Sequence, residues 1–169
     1  MKVVIYSDGA SKGNPGDAGI GVVISAEDGT VLREIADYIG KTTNNVAEYK
    51  ALIRGIKEAA ELGATMLEIS TDSELMARQL TGVYKVKSPN LQPLYLEAVS
   101  LLRAFRKVSI SHVMRELNKR ADQLANEGIV KHNGRKNLSE ETPPENPAPV
   151  SPQPAVQPQS DPVQGELFD

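Results

Sequence analysis

The sequence predicts an α/β fold: a five-stranded mixed sheet, antiparallel at its start and parallel at its end, flanked by helices. Three observations carry that expectation. Short apolar runs come first, three in succession, and then alternate with longer runs of helical period. Two of the short runs, "VVIYSD" and "LEISTD", end alike on an acid. An ordinary globular composition gives way near residue 134 to a proline-rich one.

Residues 2–8 read as a buried strand that ends at Asp8, after which Gly, Ser, Asn and Pro mark a turn. "AGIGVVISAEDGTVLREIADYIG" gives two more strands around the hairpin signal "EDG". "NNVAEYKALIRGIKEAAELG" has the helical period, with Val46, Tyr49, Leu52 or Ile53, Ile56 and Ala60 on one stripe and Gly63 suited to the C-terminal cap. "TMLEISTD" is a fourth strand and "SELMARQLTG" a short helix. "NLQPLYLEAVSLLRAF" is a long helical run with Pro93 in its first turns. "KVSISHV" is the fifth strand, and "NKRADQLANEGIVKH" the last helix with Asn118 as its cap. The order β-β-β-α-β-α-α-β-α places a meander before alternating elements, and so implies a mixed sheet.

Composition excludes several classes. The chain has 169 residues, 40% of them hydrophobic, enough for one domain with a real core at residues 1–133. With no cysteine, disulfides and thiolate metal sites are excluded. No apolar run approaches the ~18 residues of a membrane helix. "MKVVIYSDG" lacks the apolar stretch of a signal peptide, so the expected setting is cytoplasmic, with no membrane partner. The net charge of −3 is uneven: from Gly134 onward two basic and six acidic residues leave −4, and residues 1–133 carry +1. A near-neutral domain does not advertise a nucleic-acid partner by bulk charge, so any such partner must show in local placement. Eight of the eleven prolines fall in "TPPENPAPVSPQPAVQPQSDPVQ", so residues 134–163 read as a disordered, partly extended linker.

The acids raise the functional question. If the strands ending at Asp8 and Asp72 are parallel neighbours, their carboxyl ends lie side by side, where open α/β sheets place their sites. Glu48 and Asp122 stand near the starts of two helices and could reach the same edge. Singly, each acid has an ordinary explanation as a turn former, a cap or a complement to a helix dipole, and Asp28, Asp37 and Glu74 are read that way. Together they would repel, by about 4 kcal/mol for each pair ~4 Å apart at an effective dielectric near 20. Protons or divalent cations must then neutralise them, and hard oxygen ligands suit Mg²⁺ or Mn²⁺ rather than Zn²⁺.

"SDGASKGNPGDAGIGVVI", "TTNNVAEYKALIRGI", "ISTDSE" and "NKRADQLAN" resemble, in order and spacing, the motifs of type 1 ribonuclease H, over about residues 2–131. The segment "YKVKSPNLQPLY" is similar to the short bacterial and archaeal branch without the basic protrusion. The resemblance implies an endonuclease that cuts the RNA strand of RNA–DNA hybrids, leaving 3′-hydroxyl and 5′-phosphate ends. It implies that Asp8, Glu48, Asp72 and Asp122 hold two Mg²⁺ or Mn²⁺ ions with substrate, one activating water and the other stabilising the leaving oxygen. The turn after Asp8, with Gly9, Ser11 and Asn14, would lie against the RNA, its backbone reading 2′-hydroxyls. Thr43 and Asn44 resemble a DNA-phosphate site and Asn45 a base-edge contact, while Asn44 is equally suited to cap its helix. Lys85 and Lys87 stand where longer relatives carry the protrusion, and so few cations imply weak, salt-sensitive binding. Longer relatives carry a histidine shortly before the last Asp. Here "VMRELNKRAD" has none, Arg115 or Glu116 occupies that neighbourhood, and Arg115 is a candidate phosphate contact. His112, upstream in the fifth strand, reads as structural. The other reading of the same fold is a non-catalytic module that binds hybrids or duplex RNA, against which the presence of all four acids argues. The enzyme is expected to be a monomer.

The chain ends "QGELFD". Gln164, Leu167 and Phe168, within residues 164–169, match the Q-x-x-L-F pattern of peptides that dock on the bacterial sliding clamp, with the proline-rich spacer setting their reach.

Overall fold

A computed structural model describes residues 1–141, with side chains to Arg135. Met1–Lys131 form the first unit of the chain, and a second begins at His132. The expected linker beyond residue 141 and the peptide at Gln164, Leu167 and Phe168 lie outside the described residues.

The first unit is built on β1 (Lys2–Gly13), β2 (Gly16–Ala26), β3 (Val31–Thr42), β4 (Met66–Thr71) and β5 (Lys107–His112). They form one sheet in the order β3-β2-β1-β4-β5. The first three strands pair antiparallel, and β4 joins β1, and β5 joins β4, in parallel. Helix α1 (Asn44–Glu61) carries the chain from the β3 edge across the sheet to β4. Its buried side, Tyr49, Leu52, Ile53 and Ile56, meets Val3, Ile5, Val22, Ile24, Leu67 and Ile69 of the strands to make the core. Cutting Leu52, wholly buried there, back to alanine carries the ~2–5 kcal/mol cost typical of a core cavity. The stripe differs from expectation at one position: Ala59 is buried and Ala60 exposed. Helices α2 (Glu74–Leu80) and α3 (Gln92–Leu102) follow β4, and a 3-10 turn (Arg115–Asn118) leads from β5 into α4 (Lys119–Glu141).

Three local readings are corrected. β1 does not end at Asp8 but runs on to Gly13, paired with β2 down to Gly13 opposite Gly16. What ends there is the pairing with β4, whose last rung is Ser7 opposite Thr71. The polar "ASKG" disguises a strand because beyond Ser7 β1 has lost β4 and runs as an edge strand paired with β2 alone, where no core face demands apolar alternation. Asn118 does not cap α4: its amide points inward and donates to the Ser7 carbonyl at 2.9 Å. And α4 continues past Gly134, where the linker was expected to begin, to Glu141. No proline occurs between Gly134 and Pro143, so nothing in that stretch blocks the helical backbone.

α4 rests against the other face of the sheet through glycine. A methyl group at Gly21 of β2 would fall 2.0 Å from the Ala121 carbonyl oxygen, so only glycine lets the start of this helix come so near. That approach brings the first turn of α4, with Asp122, up to the sheet.

Candidate active site

Because β1 and β4 are in register to Ser7 and Thr71, the next residue of each chain, Asp8 and Asp72, leaves the ladder side by side. Glu48 reaches the same place from the first turns of α1. Thr43 caps that helix, its hydroxyl accepting from the Val46 N–H at 3.3 Å. The helix lies hard against β1 at Gly9, where a methyl group would fall 2.3 Å from the Ala47 carbonyl carbon and 2.4 Å from the Glu48 nitrogen. The Gly9 N–H donates to Glu48 Oε1. One carboxylate oxygen each from Asp8, Glu48 and Asp72 lies within 4.8 Å of the others. Asp122 stands outside that group but is close enough to Asp8 to affect its proton.

The three acids are nearly withdrawn from water: Asp8 is 6% exposed, Glu48 5%, and the Asp72 side chain 6%. Burial, followed by the charge of Glu48, pushes the Asp8 carboxyl far above its ordinary 3.8. Burial also raises Glu48 above 4.5, against the pull of its hydrogen bonds with Asp8 and the Gly9 N–H. The pair therefore keeps a proton that two exposed acids would lose. Asp72 Oδ2 has no hydrogen-bond donor, and the nearest cation is Arg115, with Nε at 3.6 Å and a side chain 81% exposed.

These side chains line a cavity of about 330 Å³, together with Gly9, Ser11, Asn44, Arg115 and Asp122. The other expected site residues lie elsewhere. Asn14 does not face the cavity wall, and its side-chain oxygen accepts from the Asn44 N–H at 3.1 Å. Thr43 is the cap of α1, so the reading of Asn44 as the cap is corrected. Asn45 is exposed. Lys85 and Lys87 are exposed on the connection between α2 and α3, and Lys85 lines a different groove. His112, read as structural, is exposed at the last rung of β5. Asp28, Asp37 and Glu74 have the ordinary roles expected of them: Asp28 accepts from the Thr30 N–H, Asp37 pairs with Arg54, and Glu74 pairs with Arg78.

Two residues of this region escaped the sequence reading. Asn126 lines the cavity, donates to the Asp122 carbonyl at 2.9 Å and accepts from Lys12 Nζ at 2.9 Å. It therefore links the β1–β2 ribbon to the fourth acid. Its position one turn after Asp122 on the same helix face was the available signal. Asn118 was noticed only as a cap.

A mixed sheet in which two neighbouring parallel strands part at buried acids defines a carboxylate-centred site suited to hard divalent cations. The profile of the family described as reverse transcriptase-like matches residues 6–128. The crystal structure of RNase H1 from the archaeon Halobacterium salinarum is 44% identical, covers 78% of this chain and 99% of its own, and superposes with a TM-score of 0.76. LC11-RNase H1, isolated from compost and solved in complex with an RNA/DNA hybrid, is 45% identical over 77% of this chain and 98% of its own, with a TM-score of 0.74. A bifunctional protein of Mycobacterium tuberculosis is 48% identical over 130 residues, 76% of this chain and 36% of its own. The chain thus spans about a third of that relative's length. The protein belongs to the ribonuclease H family.

Proposed function

We propose that the protein is a divalent-cation-dependent endoribonuclease that cuts the RNA strand of RNA–DNA hybrids and leaves 3′-hydroxyl and 5′-phosphate ends. The observation that carries this reading is the convergence of Asp8, Glu48 and Asp72 oxygens within 4.8 Å, buried and facing a cavity. The donor set fits hard cations: it is all oxygen, it includes an Asp72 oxygen without a donor, and without cations it must hold protons. Asp8, Glu48, Asp72 and Asp122 would hold two Mg²⁺ or Mn²⁺ ions once substrate is present. Bound there, such ions activate water and stabilise the leaving oxygen.

The chain's own groups position the substrate. Gly9, Ser11 and Asn14 lie against the RNA, Thr43 and Asn44 hold a DNA phosphate at the start of α1, and Asn45 touches a base edge. Arg115, at the mouth of the cavity, meets a phosphate beside the acids, and Lys85 and Lys87 add weaker, salt-sensitive contacts. The hybrid is supported as substrate by the relative described in complex with one. The enzyme acts as a monomer in the cytoplasm; among the described residues no helix is long and apolar enough to cross a membrane.

The test is cleavage of labelled RNA–DNA hybrid, duplex RNA and duplex DNA with Mg²⁺ or Mn²⁺. The parent chain cuts the hybrid. Asp8→Asn loses on the order of 10³-fold in rate, the scale of several kcal/mol of transition-state stabilisation, while still binding the hybrid. Full activity in that variant overturns the assignment.

Gln164, Leu167 and Phe168 are proposed to dock on a sliding clamp, with residues between α4 and Gln164 as the spacer. A chain ended at Ser160 should lose clamp binding, and equal binding by both forms removes the idea.

A further inference from the structure

The connection from β5 to α4 is fastened to the sheet at two points. The Val113 N–H donates to the Thr71 carbonyl at 2.9 Å. The Asn118 amide donates to the Ser7 carbonyl, also at 2.9 Å. Each acceptor belongs to the residue immediately before a clustered acid, Asp72 in one case and Asp8 in the other. Ser7 and Thr71 are also each other's partners in the last rung between β1 and β4. The segment from Val113 to Asn118 therefore brackets β1 and β4 at the rung where their mutual pairing gives out. It carries Arg115 to within 3.6 Å of Asp72 and leads directly into the turn of α4 that bears Asp122.

Asn118 is a costly way to make such a bracket. It is 1% exposed, while Arg115, Glu116 and Leu117 of the same turn are exposed. Its Oδ1 has no hydrogen-bond partner, and neither does the buried Ser7 Oγ. A buried amide that satisfies one end and leaves the other unmet contributes little net stability. An inward residue retained for stability alone would be better served by an apolar side chain of similar volume. What the amide does supply is direction, because its N–H holds the Ser7 carbonyl on the line of that bond.

We infer that Asn118 is a positioning residue: by holding the Ser7 carbonyl, it sets the aim of Asp8 against Asp72 and Asp122 and thereby the affinity of the acid cluster for divalent cations. The inference rests on the functional reading above. Partners that orient metal ligands from behind typically change metal affinity or activity by about 10–100-fold when removed, and that is the effect expected here.

Asn118→Leu, close in volume and without a donor, is compared with the parent chain below the melting temperature of each. Mn²⁺ binding by calorimetry in the absence of nucleic acid is the first readout, and hybrid cleavage with kcat and KM separated is the second. Asn118→Leu is expected to bind Mn²⁺ about tenfold more weakly or worse and to lose kcat by a similar factor, with KM for the hybrid within about twofold. Asn118→Ala is read in the same way and decides the matter if the leucine variant does not fold. Unchanged Mn²⁺ affinity and kcat in a folded variant overturn the inference, even if its melting temperature falls, since Asn118 would then be structural only. Failure of both variants to fold also overturns it, by making Asn118 a folding residue. If the parent chain itself neither binds Mn²⁺ nor cuts the hybrid, the functional reading fails instead.

Discussion

Two concave regions of the first unit differ in almost every respect. The larger, about 510 Å³, lies between the α2–α3 connection and α3, and is walled by Tyr84, Lys85, Val86, Tyr95 and Leu96. The smaller, about 330 Å³, is the acid cavity. In the larger, Tyr84 and Leu96 are 45% and 63% exposed, and what holds the wall is Arg78 stacked 5.5 Å over the Tyr84 ring and a Gln92 bond to the Val86 carbonyl. In the smaller, the walls are strand ends and helix starts tied to one another by the bonds at Gly9, Val113, Asn118 and Asn126. Volume and apolar lining identify a place where something can rest. Held, desolvated charge identifies a place where chemistry can be done, because fixed groups need no reorganisation as charge develops.

The sharpest way to break that contrast is to loosen the smaller region. Gly9→Ala places a methyl group 2.3–2.4 Å from the backbone of Ala47 and Glu48, so α1 must retreat and take Glu48 with it. A shift of ~1 Å in a reacting constellation can cost on the order of 10²-fold, and that loss of kcat is expected in hybrid cleavage assays. An equal substitution in the larger region, Gly82→Ala, meets no neighbouring atom, and any cost there arises from its positive φ of 83°. Comparable kcat losses from the two would erase the distinction.

A second test uses pH. A carboxyl whose proton is held more tightly folded than unfolded binds more protons in the folded state, so its contribution to stability falls as pH rises. Asp8 and Glu48 are both shifted this way, so without divalent cation their contribution should decline from their ordinary 3.8 and 4.5 upward through neutrality. Cations bound by the ionised cluster reverse the decline, and at ~100-fold above Kd they add about 2.7 kcal/mol. The melting temperature should therefore rise more with Mn²⁺ at pH 8 than at pH 5. In Asp8→Asn, which lacks one of the repelling charges, the metal-free decline should shrink. An equal Mn²⁺ effect at both pH values would show that the cluster is not where the cation binds.

Much of this was legible in the sequence, and the exceptions share a cause. The element order could be read because apolar period reports which side of a strand or helix is covered, and "VVIYSD" and "LEISTD" report it plainly. Glu48 and Asp72 could be picked out by residue type, position in their elements and family motif together. The continuation of β1 to Gly13 could not be read, because a polar ribbon has no hydrophobic alternation to betray it. Asn118 was placed at a helix start correctly and given the wrong partner, since its acceptor lies 111 residues away and only the folded sheet brings it near. Asn126 was passed over because its place one turn after Asp122 gains meaning only when Lys12 and Asp122 are seen on either side of it. Residues whose work is to cover apolar surface announce themselves, and residues whose work is to hold another residue do not.

The mildest prediction concerns the larger region and its cations. Lys85 and Lys87 are exposed, and among the described residues neither has a hydrogen bond or salt bridge that ties it to an acid. If they meet phosphates of the hybrid, each contributes through release of counterions, and removing one reduces the slope of log affinity against log salt by about 1. Replacing both with alanine should lower that slope by about 2 and raise KM several-fold near 0.1 M salt, with kcat at saturating hybrid unchanged. Tyr84→Phe, which keeps the ring under Arg78, should leave both quantities alone. This combination separates a region that only helps to retain the substrate from one that transforms it. A fall in kcat in the double variant, with the salt slope intact, would instead connect the α2–α3 segment to the positions of the acids, and the two cavities would have to be treated as one machine.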